Sequence, residues 1–473
     1  MGGRSRPPTR PPAYRASCDD VERSSRRVGA GFGQARPVLH DPVSAWALTA
    51  GAVCLVAYAA GSKALARSPV TPAIFFTAAG LILGPWLGIV DLSLRSEPVK
   101  LLAEVTLTLV LFSDASRISL GALRGELGVP VRLLGIGLPL TIVAGALAGA
   151  VILPGVTFLE ALILAVMIAC TDAALGQAVV SDERVPSRIR QGLNVESGLN
   201  DGLCVPIFFI ALAVAEAEDT SLSAGGALRV VSEEIGYGIL GGLVAGVLGV
   251  GALRLALRHA SIEASWLQIL TAGTALLAAA TATALGGSMF IAAFVAGFVF
   301  GVRRRSEGGD VSHFVDEGGE LLSAATFLVF GAAILGPVLG ELTWELALYA
   351  VLSLTVVRMA PVWVSLLGSG ARPPTIAFVG WFGPRGIASI VFGVLLYEES
   401  DLPGERVLLL ATVFTIALSV LAHGVTARPL TDRYARWYAA HPREQRPMES
   451  VHVTPLPVRW EQARPRRVEG PPL

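Results

Sequence analysis

Two short polar runs interrupt apolar sequence, and both carry carboxylates. One ends in Thr171 and Asp172; the other holds Glu196, Ser197, Asn200 and Asp201 and is followed by residues 205–214, nearly all apolar. An ionisable group at membrane depth is costly unless it pairs, hydrates or binds an ion, so it marks a functional site by default. Hard monovalent cations prefer oxygen ligands. Asp201, the hydroxyls of Ser197 and Thr171 and an open carbonyl at Thr171 offer such a set. A partly desolvated Asp201 can hold either a proton or a cation near neutral pH. Competition for one carboxylate is enough for exchange.

On a helix, Glu196, Asn200 and Leu203 follow i, i+4, i+7 spacing, with Ser197 and Asp201 on the adjacent stripe. Glu196 needs a partner inside protein, and Arg358 is one of only two basic residues embedded in an apolar stretch. A buried pair between them is expected, whose loss on one side would cost about 3–5 kcal/mol. The stretch from Phe158 to Val180 is interrupted at Thr171 and Asp172, and that from Thr375 to Tyr397 at residues 380–386, which contain Gly383, Pro384 and Arg385. Proline removes a backbone donor and glycine loosens a helix, so the backbone should open there. Paired broken helices are the best sequence pointer to a transporter site. Asp172 would neutralise half-helix N-termini, and Arg385 would offset half-helix C-termini. Plainer readings hold elsewhere: Glu104 and Asp114 as carboxylates held by a backbone group or hydroxyl, Glu160, Glu320 and Glu345 as caps or solvated residues, Arg303 to Arg305 as topology determinants.

These residues need helices across a bilayer to position them. Of 473 residues 53% are hydrophobic and 16% charged, with a mean hydropathy of +0.62, which makes an all-α polytopic membrane protein. Thirteen apolar stretches approach the ~20 residues a spanning helix needs: Ala45–Leu65, Val70–Gly88, Val99–Ser116, Val131–Leu153, Phe158–Val180, Gly192–Ala215, Ile235–Leu257, Ala264–Ala284, Ser288–Val302, Leu321–Leu339, Leu342–Leu367, Thr375–Tyr397 and Val407–Thr426. Odd-numbered loops carry fourteen basic residues, among them Lys63, Arg132, Arg188 and Arg372, and even-numbered loops four, Arg95, Lys100, Arg229 and Arg406. The bias supports thirteen spans, with the N-terminus outside and the C-terminus cytoplasmic. The arginine-rich residues 1–42 run against that rule and read as a disordered tail; residues 431–473 read as an interfacial segment followed by a polar, disordered cytoplasmic tail.

Several classes of function are excluded or disfavoured. Cys18, Cys54, Cys170 and Cys204 have neither even pairing nor metal-ligand spacing, and the six histidines are scattered, so neither a disulfide framework nor a metal cofactor is expected. An intramembrane aspartyl protease using Asp172 and Asp201 would need a Gly-x-Gly-Asp signature, whereas Asn200 precedes Asp201. A channel fits poorly, because carboxylates that trap an ion suit alternating access better than conduction. The chain reads as a secondary transporter, with no enzyme chemistry, cofactor or nucleic-acid partner.

Thr171-Asp172, the Glu196-Ser197 to Asn200-Asp201 run, Arg358 and residues 380–386 together resemble the cation:proton antiporter-1 (CPA1) family, sodium/proton exchangers of the bacterial and archaeal NhaP type. The likeness covers the whole membrane region. It implies the NhaA/NhaP-like antiporter fold: 13 transmembrane helices, two inverted six-helix repeats, and broken crossing helices at spans five and twelve. It also implies a homodimer in the plasma membrane. The core, approximately residues 131–215 and 342–426, would move against a dimerisation part, approximately 45–116 and 235–339, within a transporter domain at 43–430. Carried onto this chain, Asp201 carries the ion or proton, Thr171 and Ser197 ligate, Asn200 and Asp172 stabilise the broken helices, and Glu196 pairs with Arg358. Arg385 supports the break, and Asp114 matches an acidic residue that lines the cavity in some members. The Asn-Asp pair resembles electroneutral one-for-one exchangers. Na+, or Li+, is the expected cation, with a potassium/proton exchanger as the alternative. The Thr-Asp motif is often followed by proline, but here Ala173 follows, so no proline opens the backbone at that point.

Overall fold

The computed structural model describes residues 42–65, 68–118, 128–172, 175–219, 224–259, 262–304, 313–400, 402–441, 443–445 and 448–451. The N-terminal tail, Arg124, Ala173, Arg305 and residues 452–473, which carry part of the sequence reading, lie outside the described residues. Within them all regular structure is helical. In chain order the helices are α1 (Pro42–Leu65), α2 (Pro72–Leu81), α3 (Glu97–Arg117), α4 (Gly128–Ile152), α5 (Phe158–Ala169), α6 (Gln177–Val180), α7 (Ser187–Asp219), α8 (Ala224–Arg258), α9 (Ala264–Ala284), α10 (Met289–Arg304) and α11 (His313–Val329). The remainder are α12 (Trp344–Leu354), α13 (Val356–Ser365), α14 (Pro373–Trp381), α15 (Ile387–Glu399) and α16 (Glu405–Ala440).

Every apolar stretch read from the sequence falls on helix, but not always on one. Among the described residues eight helical stretches are long and apolar enough to cross a membrane, and four shorter apolar helices accompany them. The difference from thirteen lies in the second, fifth, ninth and twelfth stretches, whose apolar helices are shorter, and in the third, α3, which carries five charged residues. Two of these are divided, the fifth into α5 and α6 and the twelfth into α14 and α15, while the eleventh breaks at Thr355 between α12 and α13 yet keeps crossing length. π-helical turns at Ile82–Trp86, Leu133–Gly137 and Phe330–Leu335 interrupt or extend others.

Helix ends follow local chemistry. Thr157 and Glu160 form a capping box that starts α5, and Glu160 also accepts from the Gly404 N–H at 2.6 Å, fastening this end to the start of α16. α14 begins with two prolines, tolerated in a first turn whose N–H groups lack helical partners anyway. Apolar burial divides into a central cluster built largely on α5, α7, α15 and α16, a second on α3 and α8–α10, and a third where α6, the start of α7, α14 and the end of α16 converge. The polar break in α5 lies between the first and third.

The final helix differs from the sequence reading. The apolar run ends near Thr426, yet α16 continues through Pro429 to Ala440, with Tyr434 and Ala435 buried. Polarity closes a hydropathy segment without ending a helix, and Tyr434 still has a core to face. Met448 and Glu449, within the part read as tail, are buried as well.

Candidate functional site

The backbone opens between α5 and α6 although no proline follows Asp172. α5 stops at Cys170, which leaves helical geometry at φ −57°, ψ 138°, and the chain runs on through Thr171 and Asp172. α14 likewise stops at Trp381, and residues 382–386 connect it to α15. The two open segments cross, and the Asp172 N–H donates to the Pro384 carbonyl at 2.7 Å.

Several other freed backbone groups near the crossing find side chains, since buried peptide groups need partners. The Asp172 carboxylate accepts from the Ile387 N–H at 3.0 Å, at the N-terminal end of α15, where a negative charge is stabilised. The Arg385 guanidinium donates through Nη1 to the Cys170 carbonyl at 3.3 Å, at the C-terminal end of α5. From α7, Asn200 Nδ2 donates to the Ala169 carbonyl at 2.9 Å and to Thr171 Oγ1 at 3.3 Å, while Ser197 Oγ donates to the Thr171 carbonyl at 2.5 Å. Side chains thus take over what proline would have forced, and α7 is the splint for the open end of α5.

Glu196 and Arg358 form a two-point ion pair, Nη1 to Oε1 at 2.6 Å and Nη2 to Oε2 at 2.9 Å, with the residues only 2% and 3% exposed. Gly383 lies against this guanidinium so closely that an added Cβ would overlap its Nε. Gly386 has the same relation to the Asp172 carboxylate. At both positions the absence of a side chain lets a broken strand approach a buried charge.

Asp201 lies one helical turn beyond Ser197 on α7 and is 7% exposed. Its Oδ1 is buried with no hydrogen-bond partner among the described residues. The Cys170 thiol lies against the carboxylate, and Asp114 and Asp172 are the carboxylates whose charge reaches it. A small cavity of about 20 Å³ lies at the crossing, lined by Thr171, Asp172, Glu196, Ser197, Phe382 and Pro384 among others, though not by Asp201. Asp114, half-buried on α3, lines a small neighbouring cavity of about 10 Å³ with Arg117, Asn194 and Gly198. Thr171, Asp172, Glu196, Ser197, Asn200, Asp201, Arg358 and Arg385 therefore converge on the crossing, and Asp114 lies against Gly198, about one turn before Asp201 on α7.

Other residues complete the site without having been singled out by sequence. The Arg385 N–H donates to Ser419 Oγ at 2.7 Å, and Ser419 Oγ meets His423 Nδ1 at 3.1 Å. His423 Nε2 reaches the Trp381 carbonyl at 2.9 Å, and Nδ1 also lies 3.0 Å from the Ser419 carbonyl. The Trp381 indole donates to Thr426 Oγ1 at 3.0 Å, and Ser389 Oγ donates to the Met167 carbonyl at 2.7 Å. Ser419, His423 and Thr426 recur at i, i+4 and i+7 on α16, a polar stripe visible in the sequence.

Two broken segments of a helical bundle thus cross beside Asp201, a buried carboxylate with one oxygen unpartnered among the described residues. Residues 51–433 match the family model described as "Sodium/hydrogen exchanger, transmembrane", and the chain belongs to that family. It is 28% identical over 310 residues to the Na(+)/H(+) antiporter of Schizosaccharomyces pombe, covering 59% of this chain and 65% of the relative. It is 25% identical over 331 residues to the K(+)/H(+) antiporter NhaP2 of Shewanella oneidensis, covering 69% of this chain and 56% of the relative. The chain thus spans less than two thirds of the length of these curated relatives. The solved structure of the sodium proton antiporter MjNhaP1 from Methanocaldococcus jannaschii aligns with a TM-score of 0.66 at 21% identity over 80% of this chain and 98% of that one, a likeness of fold.

Proposed function

We propose that the protein exchanges a monovalent cation for a proton across the membrane, with Asp201 carrying either in turn. One observation carries this reading. Asp172 is spent on the end of α15 and Glu196 on Arg358, which leaves Asp201 as the buried carboxylate of the crossing with an oxygen open to a proton or a cation. Ser197, one turn before it, and Thr171, bonded to Ser197 and Asn200, are the oxygen ligands for the arriving cation once their mutual hydrogen bonds rearrange. Asp114, against Gly198 one turn before Asp201, adds negative charge nearby.

Na+ is the first expected cation, with Li+ also accepted. K+ is the second reading, favoured by the similarity to a relative named as a K(+)/H(+) antiporter. With Asn200 neutral, one carboxylate carries one charge each way, so exchange is one-for-one and electroneutral. The working arrangement is thirteen spans in two inverted repeats, N-terminus outside and C-terminus cytoplasmic, in the plasma membrane. A core (residues 131–215 and 342–426) rocks against the dimerisation part (45–116 and 235–339) of a homodimer, and no cofactor takes part.

The test is a pH-dye assay in proteoliposomes, with Na+, Li+ or K+ added to the wild-type protein and to Asp201→Asn. Dequenching by the wild type and its loss in the variant are expected. Undiminished exchange by Asp201→Asn refutes the carrier assignment.

A further inference from the structure

The segment after α16 is built into the protein. Glu449, 1% exposed, accepts from the Arg372 N–H at 2.9 Å and from the Thr375 hydroxyl at 2.6 Å. These are donors at the start of α14. Pro373 and Pro374 have no N–H, and the Arg372 side chain makes no cap, so a carboxylate from the far end of the chain meets the positive end of this helix. Its described residues, 443–445 and 448–451, are held at several further points. The Arg372 guanidinium donates to the Gln445 carbonyl, Arg188 reaches the Met448 carbonyl at 3.4 Å, and Tyr438 reaches that of Glu449 at 3.5 Å. The Met448 side chain joins the apolar cluster of Ile376, Phe378 and Leu133.

α14 has nine residues, about 13 Å of helix, too short to hold its own position. Its far end delivers Phe382 and Pro384 to the cavity that Thr171 and Ser197 line, and the Pro384 carbonyl takes the Asp172 N–H. Whatever fixes the start of α14 therefore fixes one wall of the cation site.

We propose that Glu449 is a positioning residue for that site: through it the C-terminal segment sets where α14 places Phe382 to Pro384, and so governs cation binding more than turnover. This rests on the antiport reading above.

The test uses the full chain carrying Glu449→Ala or Glu449→Gln, the glutamine keeping an acceptor oxygen. Amide hydrogen exchange in micelles should quicken at least tenfold in Glu449→Ala across residues 376–386, return to within threefold of wild type in Glu449→Gln, and stay unchanged on α8–α10. In proteoliposomes the apparent KM for Na+ or K+ should rise three- to tenfold in Glu449→Ala with kcat within twofold, and recover in Glu449→Gln. Faster exchange that stops at Thr375, with KM unmoved, overturns the proposal. Should the alanine variant not fold, Thr375→Val removes one donor and is read in the same assays. A smaller change in the same direction sustains the proposal, and no change overturns it. If the wild type moves no cation, the antiport reading fails, and the amide measurement alone then decides whether release reaches Phe382.

Discussion

Removing one member of the Glu196–Arg358 pair should be far more damaging than removing both. The two residues are 2% and 3% exposed and joined by bonds of 2.6 and 2.9 Å, so water does not reach the charge left behind. Glu196→Gln strands the Arg358 guanidinium and Arg358→Met strands the carboxylate. Each should cost about 3–5 kcal/mol, which lowers the folded-to-unfolded ratio by two to nearly four powers of ten at about 1.4 kcal/mol each. The double variant Glu196→Leu/Arg358→Met leaves neither charge buried, and replacing a buried pair by apolar groups of similar volume is often neutral or stabilising. It should fall within about 1 kcal/mol of wild type. A double-mutant cycle measured by reversible unfolding in mixed micelles reads these differences directly. Simple addition, with the double variant losing about 6–10 kcal/mol, refutes the claim that the penalty is an uncompensated buried charge. Gly383→Ala tests the same pair from outside, because its Cβ would land on the guanidinium; its loss should approach that of the single charge variants.

Gly386→Ala pushes against the Asp172 carboxylate and should reduce exchange as much as Asp172→Ala does, which initial rates in proteoliposomes compare. Asn200→Asp cannot donate to the Ala169 carbonyl or to Thr171 Oγ1, so it should lose about 1–3 kcal/mol in micelle unfolding, and any exchange it retains should become voltage-sensitive. At the loop beyond α6, partial burial works against the Asp182 charge, but hydrogen bonds and charge from Arg184 prevail and hold its carboxyl below the usual range. A depressed folded value places its contribution above the unfolded value near about pH 3.9, to be lost as pH falls through the folded one. The destabilisation caused by Asp182→Asn should therefore be equal at pH 7 and pH 5 and shrink only below about pH 4, as unfolding curves across pH would show.

The charged part of the site was legible because charge in apolar sequence must be accounted for. Asp172, Glu196, Asp201, Arg358 and Arg385 stand out for that reason, and the scarcity of basic residues embedded in apolar sequence pairs Glu196 with Arg358. Ser389, Ser419 and Thr426 do not stand out, since a hydroxyl in an apolar helix usually bonds its own preceding turn, as Thr415 does with Ala411. His423 is a single ring in the last span, and only the fold shows that it faces the Trp381 carbonyl. The opening after Cys170 is expected from Thr171 and Asp172, but its support is not legible: Asn200, Ser197 and Arg385 take the freed groups, and no breaker in the local sequence does. Hydropathy likewise marked where α16 leaves the apolar layer, near Thr426, and not where it stops, since Tyr434 stacks on Phe378 beyond that point.

α16 has 36 residues, about 54 Å, against about 30 Å of hydrocarbon. It grips α14 at both ends, through His423 on the Trp381 carbonyl and Tyr434 on the Thr375 hydroxyl at 3.0 Å. A short rung held by Glu449 at its start and bolted twice to one long rail does not swing freely. A displacement that carries Phe382 and Pro384 pulls on the rail, so the stretch of α16 beyond the apolar layer is a handle with direct mechanical purchase on the crossing.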